Sequence, residues 1–385
     1  MAARLKILQV SSGLDPRTGG TATAAINVAL AARRADLAVT LVYPFARAAA
    51  DRLAPDLARL RDGGVRAVGL PFWRAGGTRA ERWAIAPALH GFLAGHAGNF
   101  DVVHAHSAWV ATSVAAVRAA RGADRPIVLM PHESLTGFDM AHGPRLAKRM
   151  LRRWYLKRVD RIVVSSELER HDSGLDDDPR ALAIPHPVLD ETALAPASGY
   201  RPGDGLRVGF LGRLDPKKNL HRLAKALADA PGVRLIIGGA GDDAYRAEVE
   251  TLIARHGVAD RVTWLGFLDA AVKPGFFDSV DVVAMPSAFE CFGLVAAEAL
   301  GAGAPVIVSP TVGVADMIAG ADCGVIVPPR ADALAACFRR LADGVELSRW
   351  RANARRVALE LFSFAAHGAR LREVYETLVK ERALR

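Results

Sequence analysis

The chain has 385 residues, 51% hydrophobic and 24% charged, which excludes disordered, collagen-like and coiled-coil classes and suggests two or three domains. Fifty Lys and Arg against 41 Asp and Glu leave a formal charge of +9, favouring anionic partners such as phosphates or membrane head groups. The three cysteines, Cys291, Cys323 and Cys337, form neither a disulfide framework nor a CxxC metal pair, as expected of a reducing compartment.

Near the N-terminus only the four apolar-leaning residues Ile7–Val10 occur, too short for a secretory signal, and no stretch approaches the ~20 apolar residues of a spanning helix. A cytoplasmic protein, or one peripheral on the inner face of the membrane, is expected. Leu5–Val10 predicts a buried strand, followed by Gly19-Gly20 and an Ala-rich helix over Thr21–Arg34. Strands are predicted at Ala38–Val42, Val65–Leu70, Asp101–His104, Ile127–Met130 and Arg161–Val164, with helical stretches such as Ala80–His96 between them. Pro185–Gly205 crowds prolines and glycines and reads as an interdomain linker. The alternation then restarts at Arg207–Leu211, Val233–Ile237, Val262–Leu265, Val280–Met285, Pro305–Val308 and Gly324–Val327. The reading is α/β, with two Rossmann-like doubly wound domains facing a cleft.

Through residue 195 there are 26 basic and 19 acidic residues, so +7 of the +9 lies in the first half. His142–Arg161 alone holds eight basic residues and one acid. Within it, Leu146, Met150, Leu151, Trp154, Tyr155 and Val159 recur at helical spacing among Arg145, Lys148, Arg149, Arg152, Arg153 and Lys157. Such a helix either packs its apolar face on the sheet with its cations solvated, or rests on an anionic surface or acceptor. The basic run lacks a nucleic-acid-binding fold around it, so no nucleic acid partner is expected.

Gly19-Gly20 ends a strand and opens a helix, where backbone can approach an anion, although a plain tight turn reads equally well. Arg213 and Lys218 follow the strand Arg207–Leu211, at the sheet edge where doubly wound folds bind ligands; ordinary solvated cations are the alternative. Glu290 lies in the loop after an apolar strand, Gly293 opens an Ala-rich helix, and Glu298 sits about one turn inside it. A helix start favours a phosphate, and carboxylates on either side suit the sugar and ribose hydroxyls of a nucleotide sugar. His104 and His106 straddle a strand end, with His106 a candidate for contact with acceptor or donor, or for a structural role. Asp176-Asp-Asp178 and Asp242-Asp243 read as turns rather than metal ligands.

The run PSAFECFGLVAAEALGAGAPVI, with seven residues between Glu290 and Glu298, resembles the E-x7-E segment of GT-B glycosyltransferases of family 4. GFLGRLDPKKN resembles that family's phosphate loop and LIIGGAG its next glycine turn, and the order of motifs matches over nearly the whole chain. The resemblance implies two domains: 1–190 for the acceptor, with 365–385 packing back on it, and 191–364 for the donor. Arg213 and Lys218 would neutralise the diphosphate. Glu298 would hold the ribose, and Glu290 would face the donor sugar in a transfer with retained configuration. Gly293 and Leu294 would present backbone donors, and Gly19, Gly20, Gly239 and Phe292 would line the donor. His132 would reach the transferred sugar; apart from the resemblance, His106 and the basic-helix residues Arg145, Lys148 and Arg152 are candidate acceptor contacts. The implied donor is a UDP- or GDP-sugar, and the implied acceptor is a sugar, glycolipid or polysaccharide hydroxyl; no metal or other cofactor is expected. A nucleotide-sugar epimerase or hydrolase, and a non-catalytic sugar-nucleotide-binding protein, are the competing readings. Two departures stand out: Pro131-His132-Glu133 replaces the usual Gly-His-Gly, and His186-Pro187 replaces Asn-Gly.

Overall fold

Runs such as Ile127–Met130 and Val282–Met285 are apolar at every position, the pattern of strands covered by helices on both faces. The computed structural model describes residues 4–15, 20–73, 77–192, 205–269 and 271–384. It divides into one unit of Met1–Asp190 with Phe362–Arg385 and another of Glu191–Leu361.

In the first unit, β1 (Lys6–Val10), β2 (Ala38–Phe45), β3 (Arg66–Pro71), β4 (Val102–His106), β5 (Ile127–Met130), β6 (Arg161–Val164) and β7 (Ala181–Ala183) form a sheet in the order β3-β2-β1-β4-β5-β6-β7. All its pairings are parallel. The second unit holds β8 (Arg207–Leu211), β9 (Arg234–Gly238), β10 (Val262–Gly266), β11 (Val282–Met285), β12 (Val306–Val308) and β13 (Gly324–Ile326), ordered β10-β9-β8-β11-β12-β13 and again parallel. Each sheet reverses direction of winding once, between β1 and β4 and between β8 and β11. Ligands of such sheets bind beyond the strand ends at that switch.

Two apolar clusters cover the faces of the first sheet, and one large cluster built on Phe210, Leu223, Ile237 and Phe338 lies in the second unit. The last helix, Phe364–Ala383, belongs to the first unit. Its Gly368 lies so near the Ala31 carbonyl of helix Gly20–Arg34 that a side chain would collide with that backbone. Arg161 Nη2 reaches Glu381 Oε1 at 2.6 Å and ties the helix end to β6.

Two expectations change, and one strand is added. Ala80–His96 is not one helix: Gly77–Arg82 and Pro87–His96 are separated by Ala84 at φ 49°, with Pro87 starting the second because it needs no amide donor there. β7 was not anticipated, since three residues are too few to show a period. The Pro185–Gly205 segment is not wholly a linker. Asn27 Nδ2 donates to Pro187 O, and Val188 and Leu189 donate to Phe362 O, all within the first unit. Residues 193–204 lie outside the described residues.

Candidate functional site

In the second unit, β8 and β11 are neighbours, so the loops that follow them meet. Asn219, at φ 56°, ends the first loop and starts helix Leu220–Ala228; its Nδ2 donates to Pro286 O at 2.8 Å. Ala288 N donates to Lys217 O at 2.8 Å. These two bonds dock one loop on the other, and between them Lys218 Nζ comes within 2.5 Å of Glu290 Oε1. Both side chains are more than four-fifths buried. A lysine and a glutamate 72 positions apart thus form one ion pair at the sheet's switch point.

The loop carrying Glu290 is stitched to the segment after β12. Glu290 N donates to Thr311 O, Gly313 N to Glu290 O, and Val314 N to Phe292 O. Gly293 caps helix Leu294–Gly301 at φ 103°, and a Cβ there would stand 2.6 Å from Val312 Cγ1. Glycine is required on both counts. The amides of Leu294 and Val295 have no acceptor within the helix and carry its positive end. Glu298, on the same helix, receives Lys273 Nζ at 3.0 and 2.8 Å on its two oxygens. Lys273 was missed by the sequence reading. It opens the short helix Lys273–Ser279 in a loop without a motif, and only the fold brings it to Glu298.

Other expected donor residues stand differently. Arg213 is 70% exposed, with Nη2 3.1 Å from Asp215 Oδ2, so it is not part of the Lys218–Glu290 pair. Phe292, expected at the donor, is 2% exposed, so its ring lies in the core. Gly239, at φ 136°, sits so close to the Gly212 carbonyl that no side chain fits, and its N–H donates to Gly266 O at 2.7 Å. Gly20 begins its helix, and Gly19 lies outside the described residues.

The first unit carries a stack of imidazoles. His104 and His106 share a face of β4 and stack at 4.7 Å; His106 stacks on His132 at 5.2 Å, and His132 on His186 at 5.1 Å. His106 Nδ1 lies 2.9 Å from His132 Nε2, and His104 Nδ1 lies 2.6 Å from the Tyr375 hydroxyl. His106, a candidate acceptor contact, is fully buried. Burial, then neighbouring imidazoles, push His104 down to about 3 and hold His106, His132 and His186 well below the ordinary 6.5. Burial brings His367 down to about 4. These rings are neutral when folded and take up protons near pH 6.5 when unfolded. Their contribution is therefore complete above pH 6.5 and is lost as pH falls towards the folded values, by up to ~1.4 kcal/mol per pH unit per ring. The first unit should lose several degrees of melting temperature between pH 7 and pH 5. Calorimetry showing a flat profile over that range would contradict neutral burial.

The basic helix, Arg145–Leu156, follows both of the readings left open. Tyr155 is buried and Leu151, Trp154 and Leu156 pack on the core, whereas Leu146 and Met150 are 73% and 68% exposed. Lys148 and Arg152, expected at the acceptor, both have partners within their own unit. Lys148 Nζ pairs with Asp139 Oδ2 at 2.6 Å, and Arg152 Nη2 donates to Ser173 O at 2.5 Å, so both hold the helix to its own unit. Arg145 remains exposed, its Nε donating to Ala141 O. Asp178 pairs with Arg180, and Asp242 caps helix Asp243–Arg255 by accepting from Tyr245 N.

Two family models match the chain: glycosyl transferases group 1 over residues 195–357 and a glycosyl transferase 4-like domain over residues 19–180. It is 32% identical to a phosphatidyl-myo-inositol mannosyltransferase of Mycobacterium leprae over 80% of this chain and 79% of that one. It is 31% identical to a D-inositol 3-phosphate glycosyltransferase of Mycolicibacterium smegmatis over 58% of this chain, a match spanning only 56% of that relative's length. Among solved structures, HepE from Anabaena in complex with UDP and glucose superimposes with a TM-score of 0.76 at 21% identity, covering 97% of this chain and all of that one. Sucrose-phosphate synthase from Thermosynechococcus elongatus gives 0.76 at 22% identity, over 98% of this chain and all of that one. These two likenesses establish the fold.

Proposed function

The chain belongs to the group 1 glycosyl transferases of GT-B fold, family 4, and we propose that it moves a sugar from a UDP- or GDP-sugar to a hydroxyl acceptor with retained anomeric configuration. The observation that carries this reading is the Lys218–Glu290 pair at the opening of helix Leu294–Gly301, with the Lys273–Glu298 pair on the same helix. A diphosphate entering there brings more negative charge than Glu290 and takes Lys218 as its partner. The released Glu290 accepts hydrogen bonds from donor-sugar hydroxyls, and Glu298, oriented by Lys273, accepts them from the ribose. As the glycosidic bond breaks, charge grows on the leaving phosphate oxygen. Lys218, Arg213 and the amides of Gly293 and Leu294 stabilise it directly, the largest kind of contribution fixed dipoles make to catalysis. We assign this charge neutralisation to the protein rather than to a divalent metal. Gly20 and His132 are assigned to the approach of acceptor and sugar, as is Gly19.

The relatives named for inositol phosphate and phosphatidyl-inositol support an acceptor with a phosphorylated polyol or glycolipid hydroxyl, in glycolipid or polysaccharide synthesis. The exposed Leu146 and Met150 beside Arg145 and Arg149 support peripheral contact with an anionic membrane on the cytoplasmic side. The test is melting temperature with UDP-, GDP- and ADP-sugars, then transfer to inositol phosphate with and without EDTA, the product anomer being read by NMR. A donor at 100 times its Kd stabilises by about 2.7 kcal/mol, a rise of a few degrees. Absence of a shift with every donor would refute the reading. Donor consumption without acceptor would favour an epimerase or hydrolase.

A further inference from the structure

β4 and β5 are parallel neighbours with His106 opposite Met130, so both strands end at one level. Beyond them, His132 at φ 50° and Glu133 at φ 73° take left-handed backbone conformations, which cost non-glycine residues on the order of 1–3 kcal/mol each. The surroundings hold them there. Glu133 N donates to Glu169 Oε1 at 2.7 Å, and the other oxygen of this buried carboxylate accepts from Ser165 N and Oγ at 2.7 and 2.6 Å. Thr136 Oγ1 donates to Glu133 O at 2.7 Å. The half-buried His132 ring is then aimed by its 2.9 Å contact with His106.

A neutral imidazole has one N–H and one bare nitrogen, so in that contact one ring donates and the other accepts. His106 Nε2 is buried and has no hydrogen-bond partner among the described residues. Placing the proton on Nε2 would leave a buried N–H unmet, the rarer and costlier of the two orphans. The proton therefore sits on His106 Nδ1 and is donated to His132 Nε2, which places the proton of His132 on Nδ1. His104 follows the same pattern, with Nδ1 on the Tyr375 hydroxyl and Nε2 buried without a partner.

We propose that His106 is a positioning residue that sets the tautomer of His132, so that His132 meets the transferred sugar with an Nδ1–H donor rather than a bare nitrogen. The part concerning the sugar rests on the transfer reading above; the tautomer does not. In full-length protein carrying 15N-labelled histidine, two-bond proton–nitrogen correlations report each ring's tautomer, and the signals missing from His132→Gln identify His132. The expected result is a protonated Nδ1 and a bare Nε2 on His132. The opposite tautomer would overturn the proposal whether or not any donor is turned over. In the transfer assay, His106→Asn still offers an amide donor near the former Nδ1, whereas His106→Asp only accepts and reverses the pair. At saturating donor, kcat should be about tenfold lower or worse in His106→Asp than in His106→Asn, with donor KM changed by less than about threefold. Equal losses that track the two melting temperatures would reduce His106 to packing and sink the proposal. Absence of transfer in the unaltered protein would defeat the transferase reading while the nitrogen spectra still decide the tautomer.

Discussion

Lys218→Ala is expected to lower kcat for sugar transfer by about 10²–10³, the usual cost of removing one fixed donor from a developing oxyanion. The ammonium lies 2.5 Å from Glu290 in a pair that is largely shielded from water, where charge is screened less than at the surface. Its loss removes the diphosphate's counter-charge and also leaves Glu290 to repel the incoming phosphate. Donor affinity should fall together with rate. Lys218→Arg should recover only part of the loss, because a guanidinium fork does not reproduce a compact point charge. Glu290→Gln keeps shape and removes charge, so the nucleoside diphosphate should still bind while transfer drops. A stopped-time transfer assay at saturating donor settles the matter: Lys218→Ala and Glu290→Ala both at the unaltered rate would end the assignment of this site.

Gly239→Ala is expected to prevent the second unit from folding stably. The residue lies at φ 136°, where a side chain is strained, and an added Cβ would overlap the carbonyl of Gly212, which is backbone and has no rotamer to move. Gly212 and Gly239 follow β8 and β9, and Gly212 N donates to Gly238 O at 3.1 Å, so separating them would pull apart the ends of these two neighbouring strands. The cost should exceed about 4 kcal/mol, in the range reserved for backbone collisions and core disruption. Circular dichroism melting reads it directly. A variant melting within about 2 °C of the parent would show that the loops part freely, since 1 kcal/mol moves a midpoint by roughly that much in a domain this size. Gly239 therefore lets the loops after β8 and β9 approach each other closely.

Much of the architecture was legible before any coordinates. Strands such as Ile127–Met130, Arg161–Val164 and Arg207–Leu211 were located to the residue because an apolar run between two helical patterns has one reading in a parallel sheet. The family and the two-unit GT-B fold followed from the ordered motifs around Arg213, Gly239 and Glu290. β7 escaped because Ala181–Ala183 is too short to show alternation. The break at Ala84 escaped because alanine favours helices; its positive φ belongs to a helix-ending turn in which Ala84 N donates to Glu81 O and Ile85 N to Ala80 O.

The amino-acid pattern by itself determined the two α/β units, the family, and which glutamates bracket a helix start, because these depend on spacing along one segment. Only the folded chain decided which charges pair: Lys218 with Glu290 and Lys273 with Glu298, while Arg213 turns to Asp215. It also decided that Phe292 is core, that Lys148 and Arg152 have partners in their own unit, and that His106 meets His132. The reason is physical. Ionic and hydrogen-bonding energies depend on distance and burial, and in a parallel sheet the residues that meet come from strand ends far apart in sequence, where periodicity carries no information about approach.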